Sequence, residues 1–376
     1  MGPLKGIKII EMAGIGPGPF CGMVLADLGA DIIRVDRASA AGTGSRQEPA
    51  NRGKKSIAVD LKSPEGIEVV LKLVDSADAI FEGFRPGVME RLGLSPDVCM
   101  QRNGSIVFGR MTGWGQYGPL ANAAGHDINY ISISGALAAI GRPDSPPVPP
   151  LNLIGDFGGG GMLLALGLVS ALLESKSSGK GQVVDAAMTD GSALLMTMLY
   201  SMKGSGFWQE SKGSNLLDGG AHFYDTYECK NGGYISIGSI EPQFYKLLRD
   251  VAGLDNEMFD KQMSREDWPS LKLELKKVFL NKTRDEWCEL MEGTDICFAP
   301  VLSMWEAPNH PHNVARKTFI KLEGLDQPAP APRFSRTEAE VISSPAIAGE
   351  HTDSILKDLG YDESEINSLR NQGGVA

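Results

Sequence analysis

Ile7-Lys8-Ile9-Ile10-Glu11-Met12, then residues 20–28, then Asp31-Ile32-Ile33-Arg34-Val35: this stretch decides the fold. The first and third pieces are short apolar runs rich in β-branched residues and read as strands, while the piece between them reads as a helix. The same unit recurs downstream. Residues 56–61 read as a third strand, and residues 63–75 read as a helix opened by Ser63-Pro64-Glu65, a good N-terminal signal. Ala79-Ile80-Phe81-Glu82, Ile106-Val107-Phe108-Gly109 and residues 182–187 read as further strands. Strands alternating with helices predict an α/β domain built on a mainly parallel sheet with crossover helices.

Further along, the texture changes twice. Residues 113–127 and 141–150 are rich in Gly and Pro and read as loops, and the apolar run at 151–173 around Asp156 reads as a buried helix. Near residue 220 a smaller α+β unit is predicted, with a strand at Tyr234-Ile235-Ser236-Ile237-Gly238, Trp268, Trp287 and several amphipathic helices. Residues 327–345 are a Pro- and Ala-rich linker, and residues 352–369 read as one helix. The expected division is a large domain at 1–200, a small domain with its linkers at 201–330, and a segment at 331–376 that returns to the large domain.

Composition narrows the function. The 376 residues carry 36 basic and 47 acidic side chains, a net charge of −11, which disfavours nucleic acid or an anionic membrane as partner. The run at 157–173 is short for a span of ~20 apolar residues and contains several Gly, so no membrane span is expected. Gly is abundant, 46 residues of 376 against a usual ~7%, which points to tight turns and close backbone approaches. Cys21, Cys99, Cys229, Cys288 and Cys297 are odd in number and lack metal spacing, so reduced thiols and no metal site are expected. The opening residues lack a secretory pattern and the closing Gly-Gly-Val-Ala is not a peroxisomal tripeptide, so the cytoplasm is the expected compartment.

Several local patterns bear on chemistry. Gly14-Ile15-Gly16-Pro17-Gly18-Pro19 between strand and helix imitates a dinucleotide fingerprint, but Pro19 stands where the third Gly is needed. Pro17 and Pro19 also remove backbone donors, so no nicotinamide cofactor is expected. Arg34, Arg37, Arg46, Arg52, Lys54, Lys55 and Lys62 form a basic island against only three acids, with Arg85 and Arg91 following. On so acidic a chain the island reads either as a solvated face or as a site for a small phosphate-bearing ligand such as coenzyme A.

Three groups could move protons. His126 lies between a loop and a helix-like stretch, where free N–H groups favour developing negative charge, or it is simply structural. Asp156 sits in an apolar, Gly-rich run, as a helix cap or as a carboxyl whose proton affinity burial raises. Glu241 ends a predicted strand just before Pro242, and an exposed loop acid is its plain reading. Met188, Met196, Met198 and Met202 are core residues or an adaptable apolar surface. No nucleophile elbow, Walker A loop or metal-spaced His pair is present.

Taken in order, Leu4-Lys5-Gly6, the segment 14–20, Leu25-Ala26-Asp27-Leu28-Gly29-Ala30, Arg34-Val35-Asp36-Arg37, Val59-Asp60-Leu61-Lys62 and Thr112-Gly113-Trp114-Gly115-Gln116 resemble the family III coenzyme A transferases. Gly125-His126-Asp127-Ile128-Asn129-Tyr130, Leu151-Asn152-Leu153 with Asp156, Leu217-Asp218-Gly219-Gly220 and Ile240-Glu241-Pro242-Gln243-Phe244-Tyr245 are similar to its α-methylacyl-CoA racemase branch. The resemblance runs over nearly the whole chain, through Gly293-Thr294-Asp295 and Gly349-Glu350-His351-Thr352.

The resemblance implies a Rossmann-like large domain, a smaller domain and an interlocked homodimer, with each site between one chain's large domain and the partner's small domain. It implies an acyl-CoA substrate and inversion at C2 of a 2-methylacyl thioester through an enolate. His126 and Asp156 are then the acid/base pair, Glu241 orients His126, and the Asp127 backbone N–H serves the thioester oxygen. Arg37, Val59, Asp60, Leu61, Lys62, Gly125 and Tyr130 are the implied coenzyme A contacts, with Arg85 and Arg91 added from the basic run. Met188, Met198, Tyr224 and Ile240 are the implied acyl surface. No metal or separate cofactor is implied, since coenzyme A belongs to the substrate. Two other readings stand beside this one: a transferase in which Asp156 is a nucleophile, and a non-catalytic acyl-CoA binder.

Overall fold

The computed structural model describes residues 2–376 and divides them into two compact units. The first comprises residues 2–134, 151–195 and 317–376; the second comprises Gly135–Pro150 and Met196–Arg316. These bounds differ from a division at 200 and 330. Residues 135–150 leave the first unit within the predicted large domain, and the hairpin after 316 already belongs to it.

The first unit holds β1 (Lys8–Met12), α1 (Pro17–Asp27), β2 (Asp31–Arg37), β3 (Lys54–Val59), α2 (Pro64–Val74), β4 (Ala79–Glu82), α3 (Val88–Arg91), α4 (Pro96–Arg102) and β5 (Val107–Thr112). It continues with α5 (Asp127–Ile133), a π-helical turn at Leu153–Met162, α6 (Leu163–Ser178), β6 (Val183–Ala187) and α7 (Met188–Leu195). The six strands form one parallel sheet in the order β3-β2-β1-β4-β5-β6. Parallel strands are covered on both faces, which is why β4 and β5 are buried at every position and carry almost no polar alternation. One face packs Val69, Val70, Leu73 and Val74 of α2 on Ile10, Ile57 and Ile80. The other packs Cys21 and Leu25 of α1 and Leu164, Leu168 and Leu172 of α6 on Ile9, Phe81 and Val107.

The apolar run after residue 151 is not one α-helix. Phe157 N–H bonds to the Asn152 carbonyl five residues back, and the wider turn persists to Met162 before α6 begins. Its glycines explain the position. A Cβ at Gly159 would lie 2.6 Å from Ser192 N, and one at Gly191 would lie 1.9 Å from Gly159 O. The backbones of the π-turn and α7 therefore touch directly, an approach no side chain permits. Leu153–Ser178 is the one described helix long and apolar enough to cross a membrane, and its inner residues lie in the sheet's core.

The second unit contains α8 (Thr197–Gly204), β7 (Tyr224–Glu228), β8 (Tyr234–Gly238), α9 (Pro242–Ala252), α10 (Trp268–Phe279), α11 (Arg284–Met291), β9 (Phe298–Val301) and α12 (Pro311–Arg316). Its three strands are antiparallel in the order β7-β8-β9 and pack Tyr227, Ile235 and Ile237 against Trp268, Leu275, Phe279 and Trp287. Both buried indoles donate to carbonyls, Trp268 to Gln262 at 2.8 Å and Trp287 to Phe279 at 2.9 Å. Arg142 pairs with the buried Asp225 at 2.7 Å, which ties the excursion at 135–150 to this unit.

The chain then returns to the first unit as the antiparallel hairpin β10 (Phe319–Leu322) and β11 (Leu325–Pro328), α13 (Thr352–Asp358) and α14 (Glu363–Asn371). The predicted single helix at 352–369 is two, broken at Gly360, whose φ is 87°. This tail covers the open edge of β3. Gly53 N–H donates to Ser343, His351 N–H to the Ser56 carbonyl, Asp60 N–H to Gly374, and Ala376 N–H to Ala58. An exposed strand edge is thereby closed.

Candidate active site

Where the strand order reverses between β1 and β4, the connections leave the C-terminal ends of the strands in opposite directions and open a crevice. A cleft of about 680 Å³ lies there, entirely within the first unit. Its walls come from the turn after β1 (Gly16 to Gly18), the turn after β4 (Gly83 to Pro86), the end of β5, the start of α5, the π-turn and Met188. His126, Asp156, Arg85, Gly125, Tyr130 and Met188, all singled out in the sequence, line it together.

His126 is the residue just before α5, extended in backbone and exposed at the cleft wall. Its backbone N–H donates to Asn129 Oδ1 at 3.0 Å, which fixes the start of the helix. The Tyr130 hydroxyl donates to the Gly125 carbonyl, and its ring meets Trp114 edge-on at 4.8 Å. A Cβ at Gly125 would lie 2.7 Å from the Tyr130 ring, so the glycine before His126 is needed for this closure. The strand-like arrival of His126 and the helical departure after it follow from these contacts.

Asp156 lies in the first turn of the π-helix and caps nothing, since Asn152 stands at the helix start. Burial raises the proton affinity of its carboxyl. The Asn152 amide opposes that at 3.4 Å, the Asp127 carboxylate adds to it, and His126 opposes it. Of the two readings the sequence offered, the raised carboxyl is the one found. Gly16 has a φ of 69°, and a Cβ there would lie 3.2 Å from Asp156 Oδ2. The imitation dinucleotide turn is thus a wall against the Asp156 carboxyl. Its role could not be read from spacing, which compares it only with phosphate cradles.

Asp127 carries a feature the sequence reading missed. Its side chain is buried, and its Oδ2 accepts the backbone N–H of Asp156 at 2.7 Å. Only its backbone N–H had been singled out. A carboxylate beside His126 is visible in sequence, but its partner twenty-nine residues away is not.

The basic island does not survive as a free anion site. Arg52 pairs with Asp27 and Lys54 with Glu11, each at 2.6 Å and almost fully buried. Arg34 holds Asp36 at 2.7 Å, Arg46 holds Glu350 at 2.6 Å, and Lys55 holds Asp31 at 3.2 Å. Asp36 lies within the island, but Asp27, Glu11, Glu350 and Asp31 lie outside it, so a local count of charge misled. Arg37 and Lys62 are exposed, Val59 is a core residue, and Asp60 and Leu61 are half-buried beside it. None of these, nor the exposed Arg91 on α3, lines the cleft.

The remaining predicted residues belong to the second unit. Met198 is exposed on α8, and Ile240 packs on the core. Tyr224 lines a separate cleft of about 720 Å³ within that unit. Glu241 stands just before α9, and Gln262 Nε2 holds the approach to it by donating to the carbonyls of Ser239 at 3.0 Å and Ile240 at 2.9 Å. The Met cluster is therefore split, with Met188 alone on the cleft of the first unit.

Comparison with known proteins places this cleft in context. The chain matches CoA-transferase family III over residues 4–352. It is 46% identical to the alpha-methylacyl-CoA racemase of Mus musculus, over 97% of this chain and 96% of that one. It is 44% identical to the alpha-methylacyl-CoA racemase of Homo sapiens over the same shares, 97% and 96%. Among solved structures, a CAIB/BAIF family protein from Brucella suis superposes with a TM-score of 0.82 at 27% identity, covering 95% of this chain and 99% of that one. A parallel sheet of this order, a cleft at its reversal point and a match across nearly the whole length agree: the chain belongs to CoA-transferase family III.

Proposed function

We propose that this protein is a racemase that inverts C2 of 2-methylacyl-CoA thioesters by 1,1-proton transfer. The observation that carries the reading is the presence of His126 and Asp156 on the wall of one cleft, electrostatically coupled, with the carboxyl's proton affinity raised. Inversion needs two groups, one to remove the C2 proton from one face and one to return a proton to the other. A weakly acidic carbon calls for bases whose proton affinities are matched, and a raised carboxyl moves toward an imidazole. His126 and Asp156 exchange roles with reaction direction.

The enolate formed in between needs a preorganised donor at its oxygen, an effect worth roughly 3–4 kcal/mol. The N–H of Asp127, in the first turn of α5, is the donor this reading assigns. The coenzyme A portion supplies binding energy remote from C2, with Arg85, Gly125 and Tyr130 on the cleft as its first contacts. Arg37, Lys62 and Arg91 remain solvent-facing candidates for its phosphates, and Met188 begins the acyl surface. The larger unit is then a Rossmann-like coenzyme A domain. The protein acts as a homodimer in which Glu241, Tyr224, Ile240 and Met198 of a second copy complete the site. Proton transfer changes no oxidation state, so the reaction balances without a redox cofactor.

The test uses one enantiomer of a 2-methylacyl-CoA in D2O with no acceptor acid. Deuterium at C2 together with loss of optical purity is expected. His126→Ala and Asp156→Ala should each stop inversion while leaving acyl-CoA binding in place, with a loss of about 10²–10⁴-fold. Coenzyme A transfer to an added carboxylate that persists in His126→Ala, with no C2 exchange in the unaltered protein, would recast Asp156 as a nucleophile and sink the racemase reading.

A further inference from the structure

The Asp127 carboxylate joins two elements that carry the chemistry. Its Oδ2 accepts the Asp156 backbone N–H at 2.7 Å, while its own backbone opens α5 one residue after His126. The first N–H groups of any helix lack intrahelical partners, and Asp156 N–H is one of these in the π-turn. A side chain from another element therefore caps it. The fit is close: a Cβ at Gly155 would lie 2.7 Å from the same Oδ2. The second oxygen, Oδ1, is buried with no hydrogen-bond partner.

A neutral acceptor would satisfy the Asp156 N–H equally well. A carboxylate in that place brings a second negative charge to the Asp156 side chain and leaves one oxygen unpaired, both of which cost stability. The groups that face Asp156 are few. Asn152 comes from its own turn, His126 from the residue before α5, Asp127 and Tyr130 from α5, and Arg85 shares the cleft from the turn after β4. The turn after β1 brings the backbone of Gly16 and no charged group. Among these, Asp127 alone adds a negative charge while also holding the backbone.

We propose that the Asp127 carboxylate is a positioning residue that fastens the turn bearing Asp156 to the first turn of α5, so that carboxyl, imidazole and N–H donor are held as one piece. Its catalytic meaning rests on the racemase reading; the fastening itself does not. The charge then also sets how readily Asp156 gives up its proton, an effect a merely structural acceptor would not have.

Three variants separate these roles. Asp127→Asn keeps an acceptor and removes the charge, Asp127→Ala removes both, and Gly155→Ala pushes the partners apart without altering a charged group. Amide hydrogen exchange at Asp156, carbon NMR titration of its carboxyl and C2 exchange from each enantiomer are read in parallel. In Asp127→Asn the Asp156 amide stays protected and the carboxyl titrates at lower pH than in the unaltered protein. In Asp127→Ala and Gly155→Ala protection at Asp156 is lost, and kcat falls about 100-fold for both enantiomers with little change in KM. An unmoved Asp156 titration in Asp127→Asn, or unchanged amide protection in both other variants, overturns the proposal. If the unaltered protein exchanges no C2 proton, the racemase reading fails, while the amide and carboxyl measurements still decide the fastening. Should Asp127→Ala not fold, the Asn and Gly155→Ala variants carry the test.

Discussion

Asp156 shows how one residue acquires its chemistry from neighbours that sequence does not place beside it. Burial and the Asp127 carboxylate raise its proton affinity above an ordinary Asp value of ~3.9. For the enantiomer whose C2 proton Asp156 removes, the carboxylate is the active form, so kcat/KM should fall as pH drops through that raised value. For the opposite enantiomer the one proton sits on Asp156 and His126 is the base, so the pair carries a single proton in both directions and kcat/KM should follow the same profile. A pH profile measured separately for each enantiomer checks this; an acid limb at an ordinary Asp value, or profiles that differ between the enantiomers, would contradict the assignment. An acid buried in the sheet teaches a different lesson. Glu11 and Lys54 are fully buried and 2.6 Å apart, with burial raising the acid's proton affinity and lowering that of the amine. Lys54→Met strands Glu11 and should cost about 3–5 kcal/mol in a urea titration at pH 8. With its folded value raised, the lone carboxyl is disfavoured only once ionised, so the loss should be smaller at pH 5. Adding Glu11→Gln should recover most of it. Local context marks His126 at a helix start and Asp156 in an apolar run, but only the family resemblance couples them as an acid/base pair. The pairing of Arg52 and Lys54 was not legible, because Asp27 at the end of α1 and Glu11 on β1 reach them only in the folded chain.

At the scale of elements, strands were the most legible. β4 and the strand at Tyr234–Gly238 fall where apolar β-rich runs predict them, and β1, β2, β3, β5 and β6 begin or end within two residues of expectation. The π-turn was illegible, because nothing in a Gly-rich apolar run distinguishes a five-residue hydrogen-bond step from a four-residue one. What selects the wider turn is the wall of α7, met backbone to backbone at Gly159 and Gly191. A Gly191→Ala substitution should therefore cost about 3 kcal/mol, seen as a lower urea midpoint, and should disturb Asp156 although no reacting group is touched. Retention of full stability would show that the two backbones can part freely. The break at Gly360 was missed for a simpler reason: the apolar spacing continues across it, and only the left-handed φ stops the helix.

For the molecule as a whole, the α/β sheet was legible from alternation, and the unit boundaries were less so. Residues 135–150 carry a loop composition that gives no sign of which unit they join; the Arg142–Asp225 pair decides it. Likewise Glu241, Tyr224 and Ile240 stand in a unit separate from the cleft bearing His126. If a second copy supplies them, co-expression of His126→Ala with Glu241→Ala should recover activity. One of the two sites in the mixed dimer would then hold both residues intact, whereas each variant alone is inactive. Mass measurement of the purified species should give twice the chain mass. Absence of recovery in a confirmed mixed dimer would place Glu241 outside the site it is proposed to complete.

The tail that closes β3 has a consequence for synthesis. The ribosome makes β3 early, but the segments that cover it, near Ser343 and again at Gly374 to Ala376, emerge only after the entire second unit. Throughout that interval the nascent sheet presents an unpaired edge, the surface on which chains of the same kind can join and aggregate. All six strands are made by residue 187, so what waits on the tail is the cover over β3, not the sheet itself.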